Sequence, residues 1–364
     1  MEQQFDVSAN ANDHAAFSLT PFLQRIIARQ DLTAEEAEAA FNGIMEGHAS
    51  PLQVAALLAA LRAKGEAPQE VAGGVRALRR AMYRVVVDDG VPVLDTCGTG
   101  GGAFTTFNIS TAAALLAAGA GVPVAKHGNR SFTSRSGSAD VLEALGVVID
   151  LPPERLADVL REAGIVFMFA PRLHPAMRHV APVRRELGIP TIMNLLGPLT
   201  NPAGARRQLI GVADPALLEL IAHALVELGH EHALVVHGAP GMDELSPVGP
   251  TEVYEVRGAR IERYRFEPDR RLGWSGLDPA DLAGSDPAGN ARLIEGVLEG
   301  RIRGAARAAV ILNAGAALYL GGQVDSLEEG VELAERALEE GAGVDALQRL
   351  RAASRAAADR AAAD

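Results

Sequence analysis

Val91-Pro-Val-Leu-Asp-Thr-Cys-Gly-Thr-Gly-Gly-Gly-Ala-Phe-Thr-Thr-Phe-Asn-Ile-Ser-Thr111 is the stretch from which the fold is read. Val91 to Asp95 is a short apolar run, Gly98 to Gly102 a turn crowded with glycine, and Ile109 to Ala120 an alanine-rich segment of helical character. Strand, glycine turn and helix in that order make a βα unit. The glycines let backbone amides approach an anion with no Cβ in the way. The start of the helix adds unpaired N–H groups and the favourable end of its dipole. The turn is neither of the two common nucleotide loops: it has no Gly-Lys-Ser/Thr, and its glycines sit too closely for Gly-x-Gly-x-x-Gly. Taken alone it is a weak signal, because glycines also serve tight bends that bind nothing.

Working outward, further apolar runs occur at Val122 to Ala125, Val147 to Ile149, Ile165 to Phe169, Gln208 to Val212 and Ala233 to Val236, with helical segments between them. This alternation predicts a mostly parallel sheet, and ligands of such sheets bind at the carboxyl ends of the strands. Thr251 to Phe266 reads as a β excursion, and Asn290 to Asp364 as helical again. Before the glycine turn, from Thr20 to about Arg84, the pattern is helical throughout. Its helix starts are written as Thr20-Pro21, Thr33-x-x-Glu36 and Ser50-Pro51-x-Gln53, each a hydroxyl able to cap orphan amides. Residues 1–18 read as a frayed polar tail, 19–88 as a helical domain and 89–364 as the α/β domain. A segment near 175–205 is expected to complete the helical part. The fold class is α/β: a small N-terminal helical domain plus a larger α/β domain with a mostly parallel central sheet.

Composition narrows the function. At 364 residues, 48% of them apolar, the chain exceeds the size at which single cores divide. A net charge of −12 repels polyanions, so phosphate contacts must be local and nucleic acid is excluded as an expected partner. The lone Cys97 cannot form an internal disulfide, and the polar N-terminus lacks the apolar core of a signal peptide. No uninterrupted apolar run approaches the roughly 18 residues read as a membrane span. A cytoplasmic protein without membrane association is expected.

Near the turn, Thr106, Asn108, Ser110 and Thr111 offer hydroxyls and an amide suited to ribose, phosphate or metal. Lys126-His-Gly-Asn-Arg-Ser131 puts two cations where a strand ends, and Thr133-Ser-Arg-Ser-Gly-Ser138 has the composition of a mobile cover. Asp243-Glu244 follows another strand; adjacent acids often mark only a solvated turn, but facing a diphosphate they suit Mg²⁺.

Together these motifs resemble the anthranilate phosphoribosyltransferase family. The likeness runs through Asp95-Thr-Cys-Gly-Thr-Gly-Gly, Thr106-Phe-Asn-Ile-Ser-Thr111, Lys126-His-Gly-Asn-Arg-Ser131, Ser136-Gly-Ser-Ala-Asp-Val-Leu-Glu-Ala-Leu-Gly146, Phe169-Ala-Pro, His174-Pro-Ala-Met-Arg178, Pro182-Val-Arg184, Asn194-Leu-Leu-Gly-Pro-Leu-Thr-Asn-Pro202 and Asp243-Glu-Leu-Ser246. It spans about Thr20 to Gly341. The resemblance implies a fold of the nucleoside phosphorylase/phosphoribosyltransferase type. The implied reaction joins the anthranilate amine to the ribose of phosphoribosyl pyrophosphate and releases pyrophosphate. It implies donor contacts at Gly98, Gly101, Gly102, Thr106, Asn108, Ile109, Ser110, Thr111, Lys126, His127, Gly128, Asn129, Arg130, Ser131, Phe132, Thr133, Ser134 and Ser138. Anthranilate is implied at Gly98, Asn129, His127, Arg184, Gly197 and Pro198. Two Mg²⁺ per subunit are implied, held by Ser110, Asp243 and Glu244.

Residue types alone do not choose among Arg172, Arg178, Arg184 and Arg185 for the acceptor carboxylate; the family pattern selects Arg184. His127 reads either as packed at the loop base or as standing beside the acceptor. No catalytic nucleophile is needed, and Cys97 reads as a small loop residue. Gly102 departs from the family, which commonly has Asp there, and this bears on magnesium dependence. Pro190 and Met193 also depart from it, falling where relatives often carry Arg and Phe. The apolar stripes of the helical domain either pair subunits into the expected homodimer or are spent within the monomer. Two rivals remain: a pyrimidine nucleoside phosphorylase, which would carry Lys-His-Ser-Thr-Gly-Gly in place of Lys126-His-Gly-Asn-Arg, and a non-catalytic nucleic-acid-binding relative, against which the acidic charge weighs.

Overall fold

The computed structural model describes residues 17–88, 90–102, 104–131 and 135–363. Most of the expected tail, and Phe132, Thr133 and Ser134 of the expected donor contacts, lie outside the described residues. Four helices open the chain: α1 Thr20–Ile27, α2 Ala34–Met45, α3 Pro51–Lys64 and α4 Pro68–Ala81. Two begin where their caps were read. The Thr33 hydroxyl accepts from the Glu36 amide at 3.2 Å while the Glu36 carboxylate accepts from the Thr33 amide at 2.9 Å, and the Ser50 hydroxyl accepts from the Gln53 amide at 3.3 Å. The third reading is corrected. Thr20 lies inside α1 behind Leu19, and its amide donates to the Ser18 hydroxyl at 3.2 Å.

Seven strands follow: β1 Leu94–Gly98, β2 Val124–Gly128, β3 Ile165–Phe169, β4 Arg207–Gly211, β5 His232–Gly238, β6 Thr251–Arg257 and β7 Arg260–Phe266. They lie in the order β3-β2-β1-β4-β5-β6-β7, with the first five parallel and β6 and β7 closing one edge as an antiparallel hairpin. The remaining helices are α5 Ile109–Gly119, α6 Ser138–Ala144, α7 Pro153–Ala163, α8 Ala170–Leu173, α9 Ala181–Leu187, α10 Ile192–Leu199, α11 Leu218–Glu227, α12 Pro268–Arg271, α13 Pro287–Leu298, α14 Gly304–Gly321, α15 Leu327–Glu339 and α16 Ala342–Ala363.

Three strand readings shift. β1 begins at Leu94, since Pro92 has no N–H to give a ladder, and it continues to Gly98 because all five of its residues face Arg207 to Gly211. Cys97 is therefore a strand residue and not a loop residue. β2 extends through Lys126 and His127 to Gly128 along β3. Val147 to Ile149 joins no strand, and the Val148 amide donates instead to the Ser354 hydroxyl on α16 at 3.1 Å.

The sheet separates two apolar cores. One is built on α5, α7, α14 and α16. The other gathers α4, α10 and α11 and runs on into the N-terminal helices, taking in Val180, Val183 and Ile192 to Leu199. Among the described residues α14 alone is long and apolar enough to cross a membrane by composition, yet 78% of it is buried in the first core. The chain passes from β1 out to β2 and β3 and then returns to place β4 on the other side of β1. This reversal leaves a crevice at the carboxyl ends of β1 and β4. Beneath it, the buried Asp95 carboxylate accepts from the His127 amide at 3.1 Å and from Asn201 Nδ2 at 2.8 Å, which ties β1, β2 and the segment after α10 together. Leaving such a buried acceptor unpaired costs about 1–3 kcal/mol or more.

Candidate active site

The crevice is shaped by missing side chains. Gly98 and Gly211 end β1 and β4 side by side, and the loop after β5 drops onto them. A Cβ on Gly211 would lie 1.6 Å from the Asp243 carbonyl oxygen, and one on Gly98 would lie 2.6 Å from Asp243 Oδ2. Only glycine lets Asp243 come this close. Asp243 Oδ2 accepts from the Gly100 amide at 3.1 Å, and Glu244 Oε1 accepts from the Ser110 amide at 3.1 Å. The first turn of α5 is thus already held by a carboxylate, whereas the amides of Gly101 and Gly102 donate to no protein group among the described residues. Gly100 and Gly101 have φ of +66° and +80°, a backbone that favours glycine. Asp243 Oδ1 accepts no hydrogen bond among the described residues and lies 3.8 Å from where a Cβ on Gly102 would stand.

Lys126 is 3% exposed. Its ammonium donates to the Thr96 carbonyl, to the Thr96 hydroxyl at 3.3 Å and to the Ser110 hydroxyl at 3.3 Å, so it sits under the α5 start. Burial lowers its pKa against the opposing pull of Asp95 and Glu244. Burial and the Asp243 charge push Glu244 up to about 8, with Lys126 pulling the other way. A cation reaching this carboxyl at neutral pH displaces a proton. Burial and neighbouring acids raise the Cys97 thiol well above its usual value, which suits packing and not nucleophilic attack.

Neighbours on a strand face opposite ways, and His127 turns from Lys126 to the other side of the sheet. Its Nε2 lies 3.1 Å from Nε2 of His174, both rings being buried. The His127 ring also donates to the Gly197 carbonyl. Of the two histidine readings the structure shows the packed ring, set against the Gly197 turn. A Cβ on Gly197 would touch nothing within 4 Å, and the Pro198 carbonyl accepts from Gln208 Nε2 at 3.0 Å.

The four arginines now separate. Arg172 pairs with Asp150, Arg178 donates to the His179 ring at 3.2 Å, and Arg185 is exposed. Arg184, half-buried on α9, makes no ion pair or side-chain hydrogen bond among the described residues, and burial lowers its pKa.

Other expected contacts are committed elsewhere. Arg130 pairs with Glu143 and, at 2.9 Å, with Asp140, both on α6. Asn108 braces two segments: Nδ2 donates to the Ser136 carbonyl at 3.0 Å, and Oδ1 accepts from Asn290 Nδ2 at 2.9 Å. Thr111 is buried with an unpartnered hydroxyl, Ile109 is core, and Thr106 pairs with Ala283 in an isolated bridge. Gly128 ends β2, and in the segment that follows it Ser138 Oγ donates to the Asn129 carbonyl at 3.4 Å. Gly211, Asp95 and Asn201 were missed from sequence, because each acts through a partner far along the chain.

Relatives share this whole plan. A family model described as the helical bundle domain of a glycosyl transferase family matches residues 20–82, and one described as its a/b domain matches residues 90–344. The anthranilate phosphoribosyltransferase of Rubrobacter xylanophilus is 55% identical over 338 residues, covering 93% of this chain and 98% of its own. The chain belongs to the anthranilate phosphoribosyltransferase family. The Thermomicrobium roseum member is 53% identical over 340 residues, 93% of this chain and 97% of its own. The crystal structure of the Thermus thermophilus enzyme aligns with a TM-score of 0.86 at 45% identity, covering 92% of this chain and 99% of that one. A Saccharomyces cerevisiae enzyme in complex with PRPP and Mg aligns at 0.83 and 26% identity, covering 93% and 98%. Membership of this family makes the chain an enzyme, a glycosyltransferase of tryptophan biosynthesis.

The histidine pair gives a pH test. Burial holds His174 at a pKa of about 4 and His127 well below its usual value. Both are neutral when folded and protonate on unfolding. Their contribution to stability is complete above the unfolded pKa of about 6.5 and is lost as pH falls through the folded values. His174→Gln should reduce the protons taken up on unfolding at pH 5 by about one, read from the slope of unfolding free energy against pH. An unchanged slope contradicts the assignment.

Proposed function

We propose that the chain transfers the phosphoribosyl group of phosphoribosyl pyrophosphate to the amine of anthranilate, giving N-(5-phosphoribosyl)anthranilate and pyrophosphate, the second step from chorismate toward tryptophan. The observation that carries this reading is that the amides of Gly101 and Gly102 and the Asp243 Oδ1 oxygen, all without hydrogen bonds among the described residues, belong to one crevice, Oδ1 lying 3.8 Å from where a Cβ on Gly102 would stand. Free N–H groups suit a diphosphate, and a spare carboxylate oxygen suits its counter-cation.

Mg²⁺ fits this donor set. Among the described residues no three His, Cys, Asp or Glu side chains are grouped to hold a metal. Mg²⁺ typically takes one or two carboxylates and completes its shell with phosphate oxygens and water. Asp243, Glu244 and the Ser110 hydroxyl would hold it, with two ions per subunit, and its chemistry is to neutralise charge on the departing pyrophosphate. Gly102 leaves the site one carboxylate poorer than the usual family pattern.

The chain's own residues do the rest. Lys126 places a buried positive charge under the α5 start, and Gly101 and Gly102 donate to phosphate oxygens as negative charge develops on the leaving group. Thr106, Asn108, Ile109, Thr111 and residues 127–134 with Ser138 complete the donor site, with Arg130 released from Glu143. On the far face of the sheet Arg184 holds the anthranilate carboxylate with its planar fork. Gly98, Asn129, His127, Gly197 and Pro198 border the ring. The aromatic amine is largely neutral at pH 7 and attacks C1′ directly, so no covalent nucleophile takes part and alignment supplies much of the rate. Pairing Arg184 with a carboxylate also satisfies its unpartnered guanidinium. The protein acts in the cytoplasm.

We also assign a homodimer to residues 19–88 with the 175–205 segment. From Pro51 to Leu61 every residue of α3 except Gln53 is apolar: Val54, Leu57, Leu58 and Leu61 are buried, yet Leu52 is 81% exposed, and Ile27 of the adjoining α1 is 73% exposed. A helix apolar on every side is normally covered on every side.

Two measurements test these assignments. With Mg²⁺ and both substrates, anthranilate fluorescence should fall. Arg184→Ala should raise the KM for anthranilate about 10- to 100-fold, the worth of one charge-assisted hydrogen-bonded pair, and leave the KM for the donor unchanged; an unaltered anthranilate KM removes the assignment. In sedimentation the chain should run at twice its 38.0 kDa, and Ile27→Asp with Leu52→Asp should give monomers. A dimer that survives both changes places the interface elsewhere.

A further inference from the structure

Between Ala308 and Leu318, α14 contains one side chain able to hydrogen-bond, Asn313, in the sequence Ala-Ala-Val-Ile-Leu-Asn-Ala-Gly-Ala-Ala-Leu. The residue is 0% exposed. Burying an amide without partners costs a few kcal/mol, so its partners show what the residue serves. Oδ1 accepts from the Leu245 amide at 3.0 Å, and Nδ2 donates to the Leu245 carbonyl at 3.0 Å and to the Ala309 carbonyl at 2.9 Å. Both polar groups of Leu245, the residue directly after Glu244, are therefore clasped by one side chain 68 residues away.

The acidic pair needs such an anchor. The main-chain amides of Asp243 and Glu244 donate to no protein group among the described residues. Before them the Met242 amide donates to the Gly238 carbonyl at 2.8 Å, and after them the next fixed point is Leu245. The two residues span the gap between these points, pressed on Gly211 and on Gly238, where a Cβ would lie 2.4 Å from the Glu244 carbonyl oxygen. The strand ends limit how far the turn can sink toward the sheet. Asn313 limits how far it can lift away.

We infer that Asn313 is a positioning residue for the reaction: from the core helix it fixes the Asp243-Glu244 turn, and so sets the separation of the two carboxylates from the glycine loop. The inference rests on the metal-binding reading of Asp243 and Glu244 given above. Asn313 touches neither substrate nor metal, so its loss should appear in metal affinity and not in acceptor binding.

The test is a Mn²⁺ titration of the full chain in the presence of phosphoribosyl pyrophosphate, with free Mn²⁺ followed by its paramagnetic resonance signal. Asn313→Leu has similar volume and no polar group; it should weaken Mn²⁺ binding about tenfold or more, as supporting groups around a metal commonly do. The Mg²⁺ concentration for half-maximal turnover should rise in step, with excess Mg²⁺ restoring activity and the KM for anthranilate unchanged. Ala316→Gly, which weakens the same helix without touching Leu245, should lower Tm and leave Mn²⁺ binding as in the parent. If Asn313→Leu does not fold, Asn313→Ser serves in its place: its hydroxyl can bond the Ala309 carbonyl within the helix but is too short to clasp Leu245. Wild-type Mn²⁺ affinity in a folded Asn313 variant overturns the inference. Mn²⁺ binding that survives Asp243→Asn with Glu244→Gln would instead overturn the metal reading on which it rests.

Discussion

The structure turns on the absence of two methyl groups. With hydrogen in place of Cβ at Gly98 and Gly211, Asp243 can lie against the ends of β1 and β4, its carboxylate on Gly98 and its backbone on Gly211, at the point where the strand order reverses. Any larger residue there would hold the acidic turn away from the glycine loop. Because that contact exists, amides, carboxylates and a buried lysine from four separate segments converge on one crevice. The crevice needs no broad basic surface, which fits a chain with net charge −12.

The sheet divides the labour. Lys126 and His127 are neighbours in β2, yet one supports the α5 start and the other packs on His174 and against Gly197. A one-residue change in register would exchange these roles. Register is held by Asp95, which fastens β1 to β2 through the His127 amide and to the segment after α10 through Asn201. On the proposed function, donor and acceptor would be gripped from opposite faces and meet only at the strand ends, so that orientation comes from the scaffold.

Features governed by short-range physics were legible in the sequence: the caps at Thr33 and Ser50, the βα unit, and the run that became the β6–β7 hairpin. The phase of β1 was not, because it depends on five pairings with β4 more than a hundred residues later. Val147 to Ile149 has strand composition, but the Val148 amide is answered by Ser354 of α16 and the Val147 amide by the Leu142 carbonyl. Arg184 could not be told from Arg172 by residue type. What separates them is that Arg172 has Asp150 as a partner and Arg184 has none among the described residues. Gly211 and Asn313 carry little local signal beyond a strand-end glycine and a lone amide in an apolar helix, since each acts through the loop that follows β5.

On the proposed function the Gly101 and Gly102 amides and the Asp243 oxygen left unbonded among the described residues share one diphosphate and its cation. A crystal soaked in phosphoribosyl pyrophosphate and Mg²⁺ tests it most directly. Density for the diphosphate should appear within hydrogen-bonding distance of the Gly101 and Gly102 amides, with a metal between it and Asp243. Density for the donor elsewhere on the chain, with that crevice empty, would contradict the account.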